Sequence, residues 1–161
     1  MMRRLLVVMA VTLLAACSSK VKLREPMELQ EVVAPAVKPD SVWSASTGGE
    51  DGQYSRLKLS LESDALFTAD VDGNVYAFNP ATGKQIWRAK TKSPVISGPS
   101  VADDLVLVGT RDAQVIALKR ATGAEAWRAA VSSEVLAAPA GSSQMIVVRS
   151  VDGRIVGLSP A

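Results

Sequence analysis

Beyond its first sixteen residues, the chain distributes its apolar side chains in short runs separated by turn-forming residues. LVLVGT (105–110) is one such run, and QVIAL (114–118) follows it after Arg111-Asp112-Ala113. Runs of this length, bounded by turn residues and rich in β-branched side chains, predict buried strands joined by a tight hairpin. Asp72-Gly73 and Asp152-Gly153 sit at the matching turns, where glycine supplies the positive φ of a primed turn. A third strand is predicted over 84–89 and 124–129, after an Ala-Thr-Gly turn in which Gly83 or Gly123 takes the left-handed position. A fourth is predicted over VISGPSV (95–101) and VLAAPA (135–140). Each holds a proline, which an interior strand tolerates poorly, so these strands are expected at an edge or an inner rim.

The pattern repeats. Laying residues 65–104 over 105–144 without a gap matches twelve positions, from Asp72 with Asp112 through Pro99 with Pro139. A third copy begins at 145, with SVDGRIVGL (150–158) falling where DVDGNVYAF (70–78) and TRDAQVIAL (110–118) lie, and it stops at Ala161 before its own Thr-Gly and Trp. Four short strands every forty residues, with no amphipathic helical stretch in the repeat region, predict an all-β fold. The fold class is a partial β-propeller of four-stranded blades, about two and a half of them, rather than a helical solenoid. Propellers close with about four to eight blades, and at forty residues each an eight-blade ring needs roughly 320; with two full units, a third that stops before its Trp and the orphan Trp43 strand, these residues alone are expected to leave blade faces uncovered.

The most conspicuous repeated phrase is PATGKQIWRAK (80–90) and RATGAEAWRAA (120–130). Trp87 and Trp127, at one phase of the repeat, are expected to lie flat between neighbouring sheets. Thr82-Gly83 and Thr122-Gly123 are expected to fix where the Trp-bearing strand begins. Burying an indole removes about 150–250 Å² from water, an upper estimate of about 4–6 kcal/mol each. A ligand-stacking face is the competing use of such rings. VWSAST (42–47) copies IWRAKT (86–91) with no preceding strands of its own, which predicts an orphan outer strand carrying Trp43.

The amino-terminal end has different chemistry. Arg3-Arg4 followed by LLVVMAVTLLAA (5–16) reads as a secretory signal over 1–16, too short to span a bilayer. It ends in Leu14-Ala15-Ala16-Cys17, which resembles the bacterial lipobox; the resemblance implies that the Cys17 thiol carries diacylglycerol and heads the mature chain. Acyl chains contribute about 0.8 kcal/mol per buried methylene, and more than one chain makes anchoring stable. Residues 18–41 hold three prolines, many charges and no sustained period, so 17–41 is read as the lipidated cysteine and a tether reaching on the order of 25–30 Å, with a short helix over 27–33 as the alternative.

Composition removes several functions. Histidine is absent, which excludes His-based triads and His-containing zinc sites. Cys17 is the only cysteine, so no intramolecular disulfide holds the fold. The formal charge of +2 belongs to Arg3 and Arg4; without them sixteen bases face sixteen acids, and no nucleic-acid partner is implied.

AFNPATGKQIW (77–87) and ALKRATGAEAW (117–127) resemble the tryptophan-docking repeat of PQQ-like propellers, a resemblance covering residues 65–161. With the lipobox, the short tether and the stretch from Gly48-Gly49 to Tyr54-Ser-Arg-Leu57, it resembles the outer-membrane assembly-factor lipoproteins. That resemblance implies a non-enzymatic scaffold of the β-barrel assembly machinery at the periplasmic face of the outer membrane. It would bind the periplasmic domains of the central barrel subunit BamA and unfolded outer-membrane clients, and Ser18 after the lipidated cysteine fits outer-membrane sorting. In a closed ring the 42–47 strand would complete the last blade. No cofactor is implied. The rival class is a quinoprotein dehydrogenase holding pyrroloquinoline quinone and calcium. Its candidate calcium ligands would be Asp70, Asp72, Asp112 and Asp152, three of which sit in the hairpin turn where Asp is expected anyway, and the adjacent cysteine pair that resembling dehydrogenases often carry is absent. A propeller lipoprotein binding another envelope partner is the third possibility.

Overall fold

The computed structural model describes residues 39–49 and 56–160; Cys17 and most of the 17–41 tether lie outside them. All described elements fall in the compact unit from Asp40 to Ala161, and among the described residues every regular element is a strand. β2 (Ser60–Leu61), β3 (Leu66–Ala69), β4 (Asn74–Phe78) and β5 (Gln85–Lys90) form the first sheet in that order. The second sheet is β1 (Arg56–Leu57), β6 (Val95–Ala102), β7 (Leu105–Thr110), β8 (Gln114–Lys119) and β9 (Glu125–Ala130). β10 (Ala140–Gly141), β11 (Ile146–Arg149) and β12 (Ile155–Leu158) make the third. All pairings are antiparallel except β1 on β6.

The sheets stack face to face, which explains the continuous apolar runs. Val106, Val108, Ile116 and Leu118 on one face of the second sheet pack with Phe67, Val75, Ala77 and Trp87 of the first. From its other face Leu107, Val115 and Ala117 pack with Ile146 and Val148 of the third. A strand covered on both faces has no reason to alternate. The outer strands β5 and β9 are largely exposed, and Trp87 is the one buried side chain of β5.

Three expectations change. The sequence repeat has a period but no phase, and the proline-bearing strand β6 opens the second sheet instead of closing the first: a short turn at Asp103-Asp104 folds it back on β7, whereas Thr91–Pro94 carries the chain across from β5. Of the two expected places for it, a sheet edge or an inner rim, the edge is taken up in part, because Arg56 and Leu57 pair with Ser97 and Gly98. Proline is accommodated because the β6–β7 register jumps from Ser97↔Gly109 to Ser100↔Leu107, leaving Pro99 in the irregularity, where its missing N–H breaks no ladder.

The counterpart over 135–140 is reduced to β10 at Ala140–Gly141. The backbone before it bonds instead to side chains and turns of its neighbours: the Ser97 and Ser100 hydroxyls donate to the Val135 and Pro139 carbonyls at 2.5 Å each, and Val151 N donates to Glu134 O at 2.9 Å. Finally, residues 42–47 form no strand, and the Trp43 side chain ties them to the Pro80 carbonyl.

Candidate functional site

One indole geometry occurs three times, twice at the joints between sheets and once where the strandless Trp43 segment meets the first sheet. Trp43 Nε1 donates to the Pro80 carbonyl at 2.8 Å, Trp87 Nε1 to Arg120 at 2.9 Å and Trp127 Nε1 to Pro160 at 2.9 Å. The three acceptors are themselves forty residues apart, and each of the first two opens the turn that contains Thr-Gly. The indole then lies on the glycine of that turn. A Cβ on Gly83 would stand 2.7 Å from the Trp43 ring, and one on Gly123 would stand 2.6 Å from the Trp87 ring. Both glycines also have positive φ, 69° and 73°, so two independent constraints select glycine there. The two halves of the repeated phrase therefore meet across copies: each Thr-Gly turn receives the tryptophan of the preceding copy.

Threonine shapes the turn. Asn79 Oδ1 accepts from Ala81 N, Thr82 N and the Thr82 hydroxyl, while the Thr122 hydroxyl accepts from Ala124 N at 3.3 Å. Trp87 is buried, at 9% exposure, and Trp43 and Trp127 are half-buried. Trp87 also meets Phe67 with ring centroids 5.8 Å apart. The Arg120 guanidinium pairs with Asp64 across the same joint and holds the Asp64 carboxyl below its ordinary value.

A second repeated position has a structural role, where the sequence offered only Asp70 as a candidate calcium ligand. Asp70, Thr110 and Ser150 lie one repeat apart and are all buried. Each side chain bonds to the residue four positions on: Asn74 N donates to Asp70 Oδ1 at 2.9 Å, Gln114 N to the Thr110 hydroxyl at 3.1 Å, and the Ser150 hydroxyl to the Arg154 carbonyl at 3.4 Å. Only a polar side chain at a forty-residue spacing signals this, and three different residue types hide it.

At Asp70 the cluster is elaborate. Its oxygens also accept from Asn74 Nδ2 and from the Tyr76 hydroxyl at 2.8 Å, and Arg88 bonds Asn74 while stacking over the Tyr76 ring. Burial pushes the Asp70 carboxyl up, but these donors outweigh it and hold the group below its ordinary value. Burial and the adjacent carboxylate push the Tyr76 hydroxyl up.

These contacts bear on the four candidate calcium ligands. Both Asp70 oxygens are already engaged by Asn74 and Tyr76. Asp72, Asp112 and Asp152 occupy the same hairpin turn in three different sheets, and Asp152 is bonded to Ser150 and Arg154. Among the described residues no three acidic or sulfur ligands converge.

Stacked antiparallel sheets joined by an indole that docks on the next copy's Thr-Gly turn define a PQQ-like β-propeller repeat protein. A family model described as outer membrane protein assembly factor BamB matches residues 71–161, more than half of the chain. The chain belongs to the BamB family. It is 39% identical over 102 residues to the outer membrane protein assembly factor BamB of Kangiella koreensis, covering 63% of this chain and 26% of that one. To the Burkholderia pseudomallei protein of the same name it is 37% identical over 101 residues, covering 62% and 26%. The crystal structure of BamB from Moraxella catarrhalis superposes with a TM-score of 0.59 at 27% identity, over 64% of this chain and 32% of that one. The computationally designed Ika4 protein shares the fold alone, with a TM-score of 0.59 at 19% identity. The chain spans about a quarter of the length of the curated relatives it matches.

Proposed function

We propose that this chain serves as a non-enzymatic scaffold of the β-barrel assembly machinery, lipidated at Cys17 and held at the periplasmic face of the outer membrane. There it binds the periplasmic domains of the central barrel subunit BamA and aids insertion of unfolded barrel clients. The observation that carries the reading is the BamB family match over residues 71–161. Supporting it, the residues common to the repeats serve joints and turns, and Asp70 and Asp152 are engaged by neighbouring side chains. A scaffold needs a rigid frame that presents variable surface, and repeat proteins supply it.

The test is capture of the tagged full chain from solubilised envelopes. The wild type should carry labelled palmitate, fractionate with outer membranes and retain BamA. Cys17→Ser should lose the label and the membrane fraction. A lipidated chain in outer membranes that retains no BamA, or one that reduces dye with added pyrroloquinoline quinone and calcium, would overturn the assignment.

A further inference from the structure

The repeat supplies an internal control. Positions that recur from copy to copy do a recurrent structural job, so side chains that break the pattern at one joint mark what that joint does alone. At the hairpin-turn end of the joint between the first and second sheets, a cleft is lined by Lys90, Lys92, Arg111 and Asp72 over a floor of Val71 and Pro94. One repeat further on, Lys90, Lys92 and Arg111 become Ala130, Ser132 and Val151, while Val71, Asp72 and Pro94 become Arg111, Asp112 and Glu134. Three cations against one carboxylate thus become one cation against two carboxylates. The turn-to-connection bond recurs, Arg111 N to the Pro94 carbonyl and Val151 N to that of Glu134, while the charge around it is inverted.

The cations stand on a fixed frame. Arg111 N donates to the Pro94 carbonyl at 3.1 Å, which ties the hairpin turn of the second sheet to the connection that carries Lys92. The Thr91 hydroxyl sits 2.9 Å from the Gly73 carbonyl and 2.8 Å from that of Ser93, pinning Lys92 between them with a φ of 61°, a left-handed conformation that lysine seldom adopts. Lys90, Lys92 and Arg111 are exposed. The ion pairs among the described residues are Arg120–Asp64, Arg128–Glu125 and Arg154–Asp152, none of which draws on these three. The carboxylates facing them are Asp72 in the lining and Glu125, which feels the Lys92 charge but is engaged by Arg128.

We infer that this cleft docks an acidic segment of a partner protein, its carboxylates meeting Lys90, Lys92 and Arg111 beside the half-buried Pro94. A protein segment fits better than a membrane surface. Stable attraction to anionic lipid takes clusters of about 4–8 basic residues, whereas three cations with an aspartate between them, around an apolar floor, suit an inserted chain. The inference deepens the scaffold reading and rests on it for the choice of a protein occupant.

The test uses purified full chain in detergent and a fluorescent hexaglutamate peptide, read by polarisation at low salt. Lys92→Glu/Arg111→Glu should weaken binding on the order of tenfold or more, as reversal of docking charges does. The control, Lys84→Glu/Lys119→Glu, reverses the same charge at the opposite end of the strands, at exposed positions, and should bind as wild type does. Lys90→Gln/Lys92→Gln/Arg111→Gln, with an unchanged thermal transition, guards against loss of fold. Absence of peptide binding, equal loss in both reversal variants, or binding only to phosphatidylglycerol vesicles would overturn the inference. Because only purified components are used, failure here leaves the BamA capture experiment untouched, and failure there leaves this one interpretable.

Discussion

At the scale of single residues, the contact between Trp87 and Gly123 is the most exacting. Gly123→Ala meets two penalties, a left-handed φ of 73° and a Cβ placed 2.6 Å from the indole. Gly153 is a natural control, with a φ of 86° and nothing within 4 Å of its Cβ position. Gly153→Ala should therefore cost only the strain, about 1–2 kcal/mol, and Gly123→Ala should exceed it by more than about 1 kcal/mol in denaturant unfolding. Trp87→Ala should cost about 3–5 kcal/mol alone and less in the Gly123→Ala background, since both changes break one contact. Asp70 adds a pH dependence. Its carboxyl titrates below the ordinary 3.8 when folded, so its stabilisation is complete above 3.8 and disappears as pH falls through the lower, folded value. Asp70→Asn should lower the unfolding midpoint at pH 7, and the gap from wild type should close as the pH drops below 3.8. A gap that ignores pH would mean that shape, not charge, matters at this position.

At the scale of elements, the hairpin turns show what a sequence reveals and what it hides. Asp72-Gly73 and Asp152-Gly153 announced their turns, and Gly73 and Gly153 share a φ of 86°. In the middle copy Ala113 stands in the same place with a φ of 55°, a conformation that costs an L-residue about 1–2 kcal/mol. Ala113→Gly removes that strain and adds back about 0.4–1 kcal/mol of unfolded-chain entropy, so it should stabilise the protein by roughly 0.5–1 kcal/mol in thermal or denaturant melts. The strands themselves were legible because LVLVGT and QVIAL have one environment on both faces. The phase of the sheets was not, because a forty-residue period reads the same from any starting point and the turn at Asp103-Asp104 resembles any other polar pair. Nor did VLAAPA reveal that its carbonyls would be taken by Ser97 and Ser100, side chains almost forty residues upstream. The indoles were legible as a joint, yet their partner turn lies in the next copy, a relation that only three dimensions supply.

At the scale of the molecule, the stacked sheets make stability a matter of nearest neighbours, each sheet stabilised by the faces it shares. The second sheet is covered on both sides, by the first through Val106 and Ile116 and by the third through Leu107 and Val115. The third sheet presents the equivalent face outward: Met145, Val147 and Ile155 are 52%, 36% and 71% exposed, and among the described residues no sheet lies against them. Val115 and Ile155 are one repeat apart, so the same position is tested once inside a joint and once outside it. Val115→Ala should cost about 2 kcal/mol or more, because Val115 is fully buried and its loss leaves a cavity between sheets. Ile155→Ala removes the larger side chain, yet at an exposed position it should change stability by no more than about 0.5 kcal/mol. Denaturant midpoints of the two variants, measured across a range of protein concentrations, give the comparison. Equal costs, with a midpoint that rises with concentration, would show the third sheet's outer face covered in solution by a second copy, and the nearest-neighbour account would then have to extend across molecules.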